Sequence, residues 1–114
     1  MKNEKNLFSG GTSLLLLSLL KERDMYGYEM VEELARRSDS TFQLKEGTLY
    51  PLLHSLEKER CVESYITKTS GGRARKYYRL TPEGRIQLEL RTKEWRIFSE
   101  KVNAVIGCAA PSSV

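Results

Sequence analysis

The sequence predicts a mainly α-helical domain with one small β-hairpin, an α+β fold, and three observations support that prediction. Leucines recur at helical spacing through the first half of the chain. Two segments rich in β-branched and aromatic residues, 62–67 and 74–80, flank a glycine-containing turn. A Thr-Pro-Glu sequence at residues 81–83 then begins a long helix, because threonine caps helices and proline favours their first position. At 114 residues the chain holds one ordinary domain and no second core.

The N-terminal part predicts a flexible lead-in followed by a buried helix. Residues 1–11 are expected to form the lead-in, and Thr12 or Ser13 can cap a first helix that runs to about Arg23. Leucines cover every side of this helix, so it must be buried on every side. In so small a domain, part of that burial is expected to come from outside the domain.

Two further helices complete the first half of the chain. A turn at residues 24–27 leads into a second helix that ends near Ser38. In this helix Tyr28 is expected to pack between helices, with a phosphate contact through its hydroxyl as the alternative. A third helix is predicted over residues 46–60, with Pro51 in its first turn, where the missing amide hydrogen would have no partner. Its buried stripe follows the spacing i, i+3, i+4 and i+7 and consists of Leu49, Leu52, Leu53 and Leu56.

The outward face of the third helix differs from a purely solvating surface. It presents short polar groups, one aromatic ring, an imidazole and a cation rather than alternating glutamates and lysines. For His54 an ordinary surface histidine is nearly as good an interpretation as a contact with a base or a phosphate. With the lysine that precedes the helix, the candidate nucleic-acid contacts are Lys45, Thr48, Tyr50, His54, Ser55 and Lys58.

The positive charge of the chain is concentrated in its second half. Residues 1–60 hold nine basic and ten acidic side chains, and residues 61–114 hold ten basic and five acidic ones. Residues 67–80, which include the turn and second strand of the predicted hairpin, carry five of these cations and no acid. Such a local field attracts a polyanion, although a solvated basic hairpin is the alternative. The candidate contacts on the hairpin are Lys68, Thr69, Arg73, Arg75 and Lys76.

The last helix, predicted over residues 82–106, has more apolar surface than one domain can cover. Its apolar side chains span about 200° at 100° per residue, whereas a helix on the surface of one domain needs about 100°. Five of them follow steps of 7, 3, 4 and 3 residues, the spacing of a coiled-coil seam. Gly107 is expected to end the helix, and residues 107–114 to form a disordered tail. We therefore predict a homodimer interface formed by Leu88, Trp95, Phe98, Val102 and Val105.

Composition and motifs exclude several classes of protein. No run of 18 apolar residues is present, so we expect no membrane-spanning helix and no membrane partner. One histidine and two cysteines give no metal-binding or disulfide pattern, and a reducing compartment is expected. Motifs for nucleotide binding or hydrolysis are missing as well, so we expect neither an enzyme nor a cofactor.

The order of the elements is typical of a winged helix-turn-helix followed by a dimerisation helix. In this fold the third helix enters the major groove of duplex DNA, and the hairpin, called the wing, lies on phosphates or in the minor groove. We expect the DNA-binding domain to span residues 12–81 and the dimer to read an inverted-repeat operator. A protein-interaction module that does not bind DNA is the alternative; it would explain the apolar excess but not the basic hairpin.

Three motifs carry a resemblance to a known family. They are Tyr26-Gly27-Tyr28-Glu29, then Gly47-Thr48-Leu49-Tyr50-Pro51-Leu52-Leu53, then Gly71-Gly72-Arg73 with Arg75-Lys76-Tyr77-Tyr78-Arg79-Leu80-Thr81. With these motifs in this order, the chain resembles the PadR family of bacterial transcriptional regulators. The resemblance covers about residues 12–106 and is to the short subfamily, which has a single C-terminal helix. The resemblance implies a cytoplasmic dimeric repressor that releases DNA when a planar aromatic compound or drug binds.

The resemblance also implies an effector site, and the chain departs from the family's pattern at the end of the third helix and at Ile66 of the wing, where the family commonly has Trp. In drug-binding members a Trp at the position of Trp95 stacks on ligand at the dimer centre, although Trp95 could instead only fill the dimer seam. The family usually has Gly-Leu where this chain has Arg60-Cys61. Because a left-handed arginine costs about 1 kcal/mol, we expect this helix to end in another way. By the resemblance, the pocket wall near Trp95 would be formed by Ser13, Leu14 and Leu17.

Overall fold

The computed structural model describes residues 2–108 and contains four helices and three antiparallel strands. The strands form one sheet in the order β1-β3-β2, so β3 pairs on both sides. The predicted mainly helical α+β fold is confirmed, and residues 109–114 of the predicted tail lie outside the described residues. In chain order the elements are α1 (Lys2–Glu22), β1 (Met25–Tyr26), α2 (Gly27–Arg37), α3 (Glu46–Lys58), β2 (Val62–Lys68), β3 (Ala74–Leu80) and α4 (Pro82–Ile106).

The hydrophobic core is built around α1. The residues Leu16, Leu17, Leu19 and Leu20 are all buried, as the leucine-rich composition of this helix predicts. Burying one such side chain contributes about 1.5–3 kcal/mol, so this one helix supplies a large part of the driving force for folding. Helices α2 and α3, the inner face of the sheet and the start of α4 supply the rest: Met25, Met30, Leu34, Leu49, Leu53, Leu56, Cys61, Val62, Tyr78, Leu80 and Leu88.

Helix α1 begins earlier than the sequence predicts. The chain is helical from Lys2 onward, so residues 2–11 are part of the helix instead of a separate lead-in, and the helix does not start at a cap on Thr12 or Ser13. The first half of α1 contains two glycines. A glycine inside a helix raises the free energy of the helix by about 1 kcal/mol relative to alanine, which disfavours the helix without forbidding it. Once the buried second half of α1 has nucleated the helix, adding further residues is much cheaper than starting a new one.

The structure adds one strand, β1, where the sequence predicts only a turn over residues 24–27. Met25 pairs with Tyr78, and Tyr26 pairs with Tyr77 of β3. A strand of two residues has no periodicity that a sequence pattern can reveal. It forms because β3 supplies the hydrogen-bonding partner.

Pro51 lies in the second turn of α3 rather than in the first. The helix begins at Glu46 after the N-cap residue Lys45, so Pro51 follows one full turn of helix. Its ring removes the amide hydrogen that would otherwise bond to the carbonyl of Gly47. Because Gly47 is exposed, water can satisfy that carbonyl and the helix continues to Lys58.

A left-handed arginine closes the C-terminus of α3. Arg60 has φ = 63°. The amide of Cys61 donates to the Leu56 carbonyl at 2.9 Å, and the amide of Arg60 donates to the Glu57 carbonyl at 2.9 Å. These two bonds form a Schellman motif, in which glycine is the usual left-handed residue. The expectation of another helix end is therefore wrong, because the completely buried Cys61 anchors the motif in the core.

Helix α4 begins against this turn and ends as predicted. The hydroxyl of Thr81 accepts from the amide of Gly84 at 2.9 Å and donates to the Arg60 carbonyl at 2.6 Å, which confirms the predicted N-cap. A Cβ on Gly84 would lie 2.1 Å from the carbonyl oxygen of Cys61, so only glycine permits this close approach. Gly107 adopts φ = 78° and ends the helix.

Charged side chains join α1 to α2. Arg37 donates to both carboxylate oxygens of Glu22 at 2.7 Å and to Glu33 at 2.9 Å. Arg36 pairs with Glu33 as well. The hydrogen bonds from Arg36 and Arg37 lower the pKa of Glu33 from 4.5 to about 2. Such exposed pairs contribute little individually, but together they tie the C-terminal end of α2 to the C-terminal end of α1.

The described residues lack two kinds of feature. None of their helices is long and apolar enough to cross a lipid bilayer. Within residues 2–108 no group of three or more His, Cys, Asp or Glu side chains is arranged to hold a metal ion. The two cysteines are unpaired thiols, with Cys61 buried and Cys108 exposed.

Candidate nucleic-acid interface

Helix α3 presents its polar side to solvent, and we call this side the reading face. The buried residues Leu49, Leu53 and Leu56 occupy the opposite side of the helix. The reading face carries two cations, two hydroxyls, a phenol and an imidazole, which are groups that bond to phosphates and base edges. Every predicted contact residue of this helix is exposed: Lys45, Thr48, Tyr50, His54, Ser55 and Lys58.

The start of α2 borders this face at Gly27. A Cβ on Gly27 would lie 2.5 Å from the hydroxyl oxygen of Tyr50, so the glycine makes room for the ring. Tyr28 is 62% exposed, and the expectation that it packs between helices is wrong. Met30 and Leu34 form the buried side of α2, and the helical period places Tyr28 on the other side of that helix. The same periodicity could have revealed this exposed phenol from the sequence.

The wing is a regular hairpin of β2 and β3. Its register runs from the buried Val62–Leu80 pair at the base to the exposed Lys68–Ala74 pair at the tip. Gly72 in the turn has φ = 82°, a left-handed conformation that favours glycine. The ladder therefore holds the basic side chains on a defined frame that projects beyond the core.

Most wing cations are not engaged in ion pairs. Arg79 is the exception, since it pairs with Glu63 at 2.9 Å. The hydroxyl of Thr69 accepts from the amide of Arg73 at 3.3 Å, so this predicted contact also shapes the turn. Among the residues that the structure describes, no ion pair forms at Lys68, Arg73, Arg75 or Lys76.

Three tyrosines support the outer face of the sheet, on which Arg75 lies. Tyr77 stacks on Tyr65 at a centroid distance of 5.7 Å and meets Tyr26 edge-on at 5.4 Å. The guanidinium of Arg75 lies 4.4 Å from the centroid of the Tyr26 ring, a cation–π contact. Tyr78 points to the opposite face and is buried, as strand alternation predicts. The base of the wing is thus held from both faces.

The outer face is also tied to the end of α1. The hydroxyl of Tyr65 donates to Oδ2 of Asp24 at 2.6 Å. This bond raises the pKa of Tyr65, because the phenolate could no longer donate it. Burial likewise raises the pKa of Tyr78 on the inner face.

Helix α4 leaves much apolar surface uncovered in the single chain. Leu88 is only 5% exposed and packs in the core of its own domain, so its assignment to a dimer interface is wrong. The reason is that α1 covers this first part of α4. A second exposed apolar strip on another side of the helix contains Ile86, Leu90 and Ile97. The other predicted interface residues, which we call the seam, are between 40% and 86% exposed: Trp95, Phe98, Val102 and Val105.

A groove of about 300 Å³ lies between α1 and α4. Two of the predicted effector residues, Trp95 and Leu14, line it. Leu17 is completely buried in the core, so its assignment to the groove is wrong; it lies on the side of α1 that faces the domain interior. Ser13 does not line the groove, where Ser18 provides a hydroxyl instead. The described residues that line it are Gly11, Leu14, Leu15, Ser18, Phe42, Thr92 and Trp95.

The winged domain and its C-terminal helix match a known family of proteins. Residues 16–90 match the model of the transcriptional regulator PadR-like family. The chain belongs to the PadR-like family. PadR-like proteins are transcriptional regulators that bind DNA and are not enzymes, which confirms the sequence-based resemblance and the prediction that no enzyme is present.

Relatives and solved structures agree with this assignment. The transcriptional regulator Rv3488 of Mycobacterium tuberculosis is 34% identical over 94 residues, which cover 82% of this chain and 81% of the relative. A transcriptional regulator from Clostridium thermocellum is 33% identical with a TM-score of 0.80 and covers 87% of this chain and 96% of its own. A PadR family regulator from Clostridium difficile is 40% identical with a TM-score of 0.71, covering 82% and 96% respectively.

Proposed function

We propose that this PadR-like chain is a cytoplasmic homodimeric repressor, which binds an inverted-repeat operator and leaves it when a planar aromatic compound binds at Trp95. The observation that carries the proposal is the uncovered apolar seam of α4. In a single chain the seam faces water, and at Trp95 it borders the uncharged groove. A second copy would cover the seam, and a flat ring would occupy the groove.

The distribution of charge supports recognition of duplex DNA. The wing cations outside ion pairs supply sequence-independent affinity for phosphates, whereas sequence choice must come from base contacts of the reading face. We assign that choice to Thr48 in the first turn of α3 and His54 in its second half, both of which are exposed. If each protomer neutralises about three to four phosphates, log affinity of the dimer falls against log salt with a slope of about −5 to −7.

The geometry of a twofold dimer supports the inverted repeat. Two copies joined through α4 would present two reading faces related by the twofold axis. Helix-turn-helix dimers bind half-sites about 34 Å apart, one turn of the duplex. The operator then mirrors the symmetry of the protein, so each half-site is read by one α3.

The surroundings of Trp95 support an aromatic effector. Its ring is 44% exposed and lies 5.8 Å from the ring of Phe98, centroid to centroid. Aromatic faces of this kind stack on flat ligands. Leu14 and Leu15 line the groove beside it, with the hydroxyls of Ser18 and Thr92 as polar groups. Ligand sites typically combine an apolar lining with a few polar groups in this way.

Two measurements test the proposal. Gel filtration should give a dimer, and a shift assay should show salt-dependent retardation of a random duplex. A protein-interaction module would give no retardation even at about 50 mM salt. Changing Thr48 or His54 to Ala should alter the preference among sequences, whereas uniform weakening on all sequences would show that these residues only contact the backbone.

Effector binding is tested by the fluorescence of Trp95, which is the single tryptophan of the chain. Titration with a panel of flat neutral aromatics should quench it to saturation, and the quenching compounds should release DNA. A panel without any quencher would mean that Trp95 only fills the dimer seam.

A further inference from the structure

A second cavity adjoins the Trp95 groove. It has a volume of about 250 Å³ and lies beneath the connector between α2 and α3. Leu15 of α1 and Phe42 of the connector line both spaces, so these two side chains form the partition between them. We call this space the connector chamber, and its lining is Thr12, Leu15, Leu34, Thr41, Phe42, Gln43 and Leu44.

The chemistry of the two spaces is alike. Among the side chains that the structure describes, none that lines the groove or the connector chamber is charged. A charged ligand group buried there would lose its hydration without gaining a partner, so the lining selects neutral molecules. At the far end of the chamber the hydroxyl of Thr41 and the amide of Gln43 are polar groups that a ligand can reach. Ligand pockets usually measure about 300–1,000 Å³, so the two spaces together suit a molecule of two rings better than one ring.

The connector above the chamber is a strained segment. Asp39 and Ser40 are consecutive non-glycine residues with φ of 50° and 62°. A left-handed conformation costs about 1–2 kcal/mol per residue, and such strain is concentrated at ligand clamps and switch regions. Turn hydrogen bonds hold this segment: the amide of Ser40 donates to the Ala35 carbonyl at 2.7 Å, and the amide of Phe42 donates to the hydroxyl of Ser38 at 3.0 Å. Phe42 thus lies between the two spaces on a turn rather than on a regular helix.

We propose that Phe42 separates the two chambers of one effector site. An elongated neutral aromatic ligand stacks one ring on Trp95 and passes its far end by Phe42 into the connector chamber. This inference rests on the proposed effector function of Trp95 and extends it to the class of ligand and to a second subsite. The far end of the ligand lies against residues 41–44, which lead directly into the N-cap residue Lys45 of α3.

The test uses two probes that share one quenching ring, nitrobenzene and 4-nitrobiphenyl. Both are titrated against Trp95 fluorescence in the full-length protein. Thr12→Phe fills the connector chamber from α1 and leaves the groove unchanged, since Thr12 lines only the chamber. Thr12→Val is the matched control, because it keeps the volume of threonine. Phe42→Ala removes the partition and acts in the opposite direction.

We expect 4-nitrobiphenyl to bind the wild type and Thr12→Val about tenfold more tightly than nitrobenzene, because the second ring is buried in the chamber. Thr12→Phe should abolish this preference without changing the affinity for nitrobenzene. Phe42→Ala should increase the preference for 4-nitrobiphenyl. A misfolded variant would lose its affinity for both probes. Because Phe42→Ala is expected to increase the preference for 4-nitrobiphenyl, misfolding could not produce the expected result for that variant.

The possible results separate this inference from the function on which it rests. If nitrobenzene binds and the preference is the same in the wild type and in both Thr12→Phe and Phe42→Ala, the connector chamber is not part of the site, while the Trp95 site stands. If neither probe quenches Trp95 to saturation in the wild type, both the effector function and the second subsite are overturned.

Discussion

Arg73 and Arg79 lie in the same hairpin, and they allow a direct comparison. Arg73 forms no ion pair among the described residues, whereas Arg79 forms one. Arg73 is exposed in the turn, whereas Arg79 pairs with Glu63 at 2.9 Å and lies 5.1 Å from the centroid of the Tyr65 ring. Only Arg73 should neutralise a phosphate. Each neutralised phosphate contributes about 0.9 to the slope of log affinity against log salt, so Arg73→Ala should reduce the slope of a dimer by about 2. Arg79→Ala should leave the slope unchanged.

Fluorescence anisotropy with a labelled random-sequence duplex measures both slopes between about 50 and 200 mM salt, and it needs no knowledge of the operator. Urea titration of the two variants checks that each remains folded. Arg79→Ala removes a structural ion pair, so any indirect effect through stability should be larger there than at Arg73. Equal changes of slope in both variants, or no change in Arg73→Ala, would show that the wing does not contact phosphates through its turn.

Three further predictions concern stability, each measured by urea denaturation. Arg60→Gly should stabilise the chain by about 1 kcal/mol because glycine has no left-handed penalty, whereas Arg60→Ala keeps that penalty and should give no gain. Gly84→Ala should destabilise by about 3 kcal/mol or more, since its Cβ would lie 2.1 Å from a carbonyl oxygen; a mild effect would mean that α4 shifts freely. Arg36 and Arg37 lower the pKa of Glu33 from 4.5 to about 2, so its contribution is present above the unfolded-state pKa and is lost as the pH falls toward 2. Glu33→Gln should therefore flatten the loss of stability over that range, and parallel acid profiles would contradict this assignment.

Local patterns were sufficient to predict most of the fold. The leucine stripe of α3, the glycine turn of the wing and the threonine cap of α4 each encode a local structure that tertiary contacts then reinforce. The errors arise where distant contacts outweigh a local preference. The buried half of α1 extends the helix to Lys2, β1 exists only as a partner of β3, and Cys61 holds Arg60 in a left-handed conformation.

The candidate site was predictable for the side chains that face water on a single element. Exposure of the reading face and the wing follows directly from helical and strand periodicity. The sequence could not assign Leu88 and Leu17 correctly, because both belong to helices that are apolar on more than one side. Which apolar side a helix turns toward its own domain depends on the packing of α1 against α4, and that is a tertiary property. The partition at Phe42 depends on a connector whose conformation no periodic pattern describes.

The two exposed apolar strips of α4 lead to a prediction about the dimer itself. Leu88 packs against the domain, and the helical period carries the same side of the helix onward to Trp95, Phe98 and Val102. The seam therefore lies on the same side of α4 as Leu88, farther along the helix, where α1 no longer covers that side. The strip that contains Leu90 lies about a third of a turn away. A twofold contact between straight helices can cover one such strip along its full length, and we assign that contact to the seam.

Phe98→Glu and Leu90→Glu distinguish the two strips. Phe98 is 44% exposed and Leu90 51% exposed, so both substitutions place a carboxylate in water in the single chain and keep a good helix former. In a dimer formed through the seam, only Phe98→Glu buries two like charges at the interface. An unpaired buried charge costs several kcal/mol, so the dimer dissociation constant should rise by about a hundredfold or more. Sedimentation equilibrium should give a monomer for Phe98→Glu and a dimer for Leu90→Glu. The reverse result would make the Leu90 strip the interface. Trp95 would then not lie at the dimer centre, because contact through the Leu90 strip cannot bring together the Trp95 rings of the two copies, which are on another side of the helix.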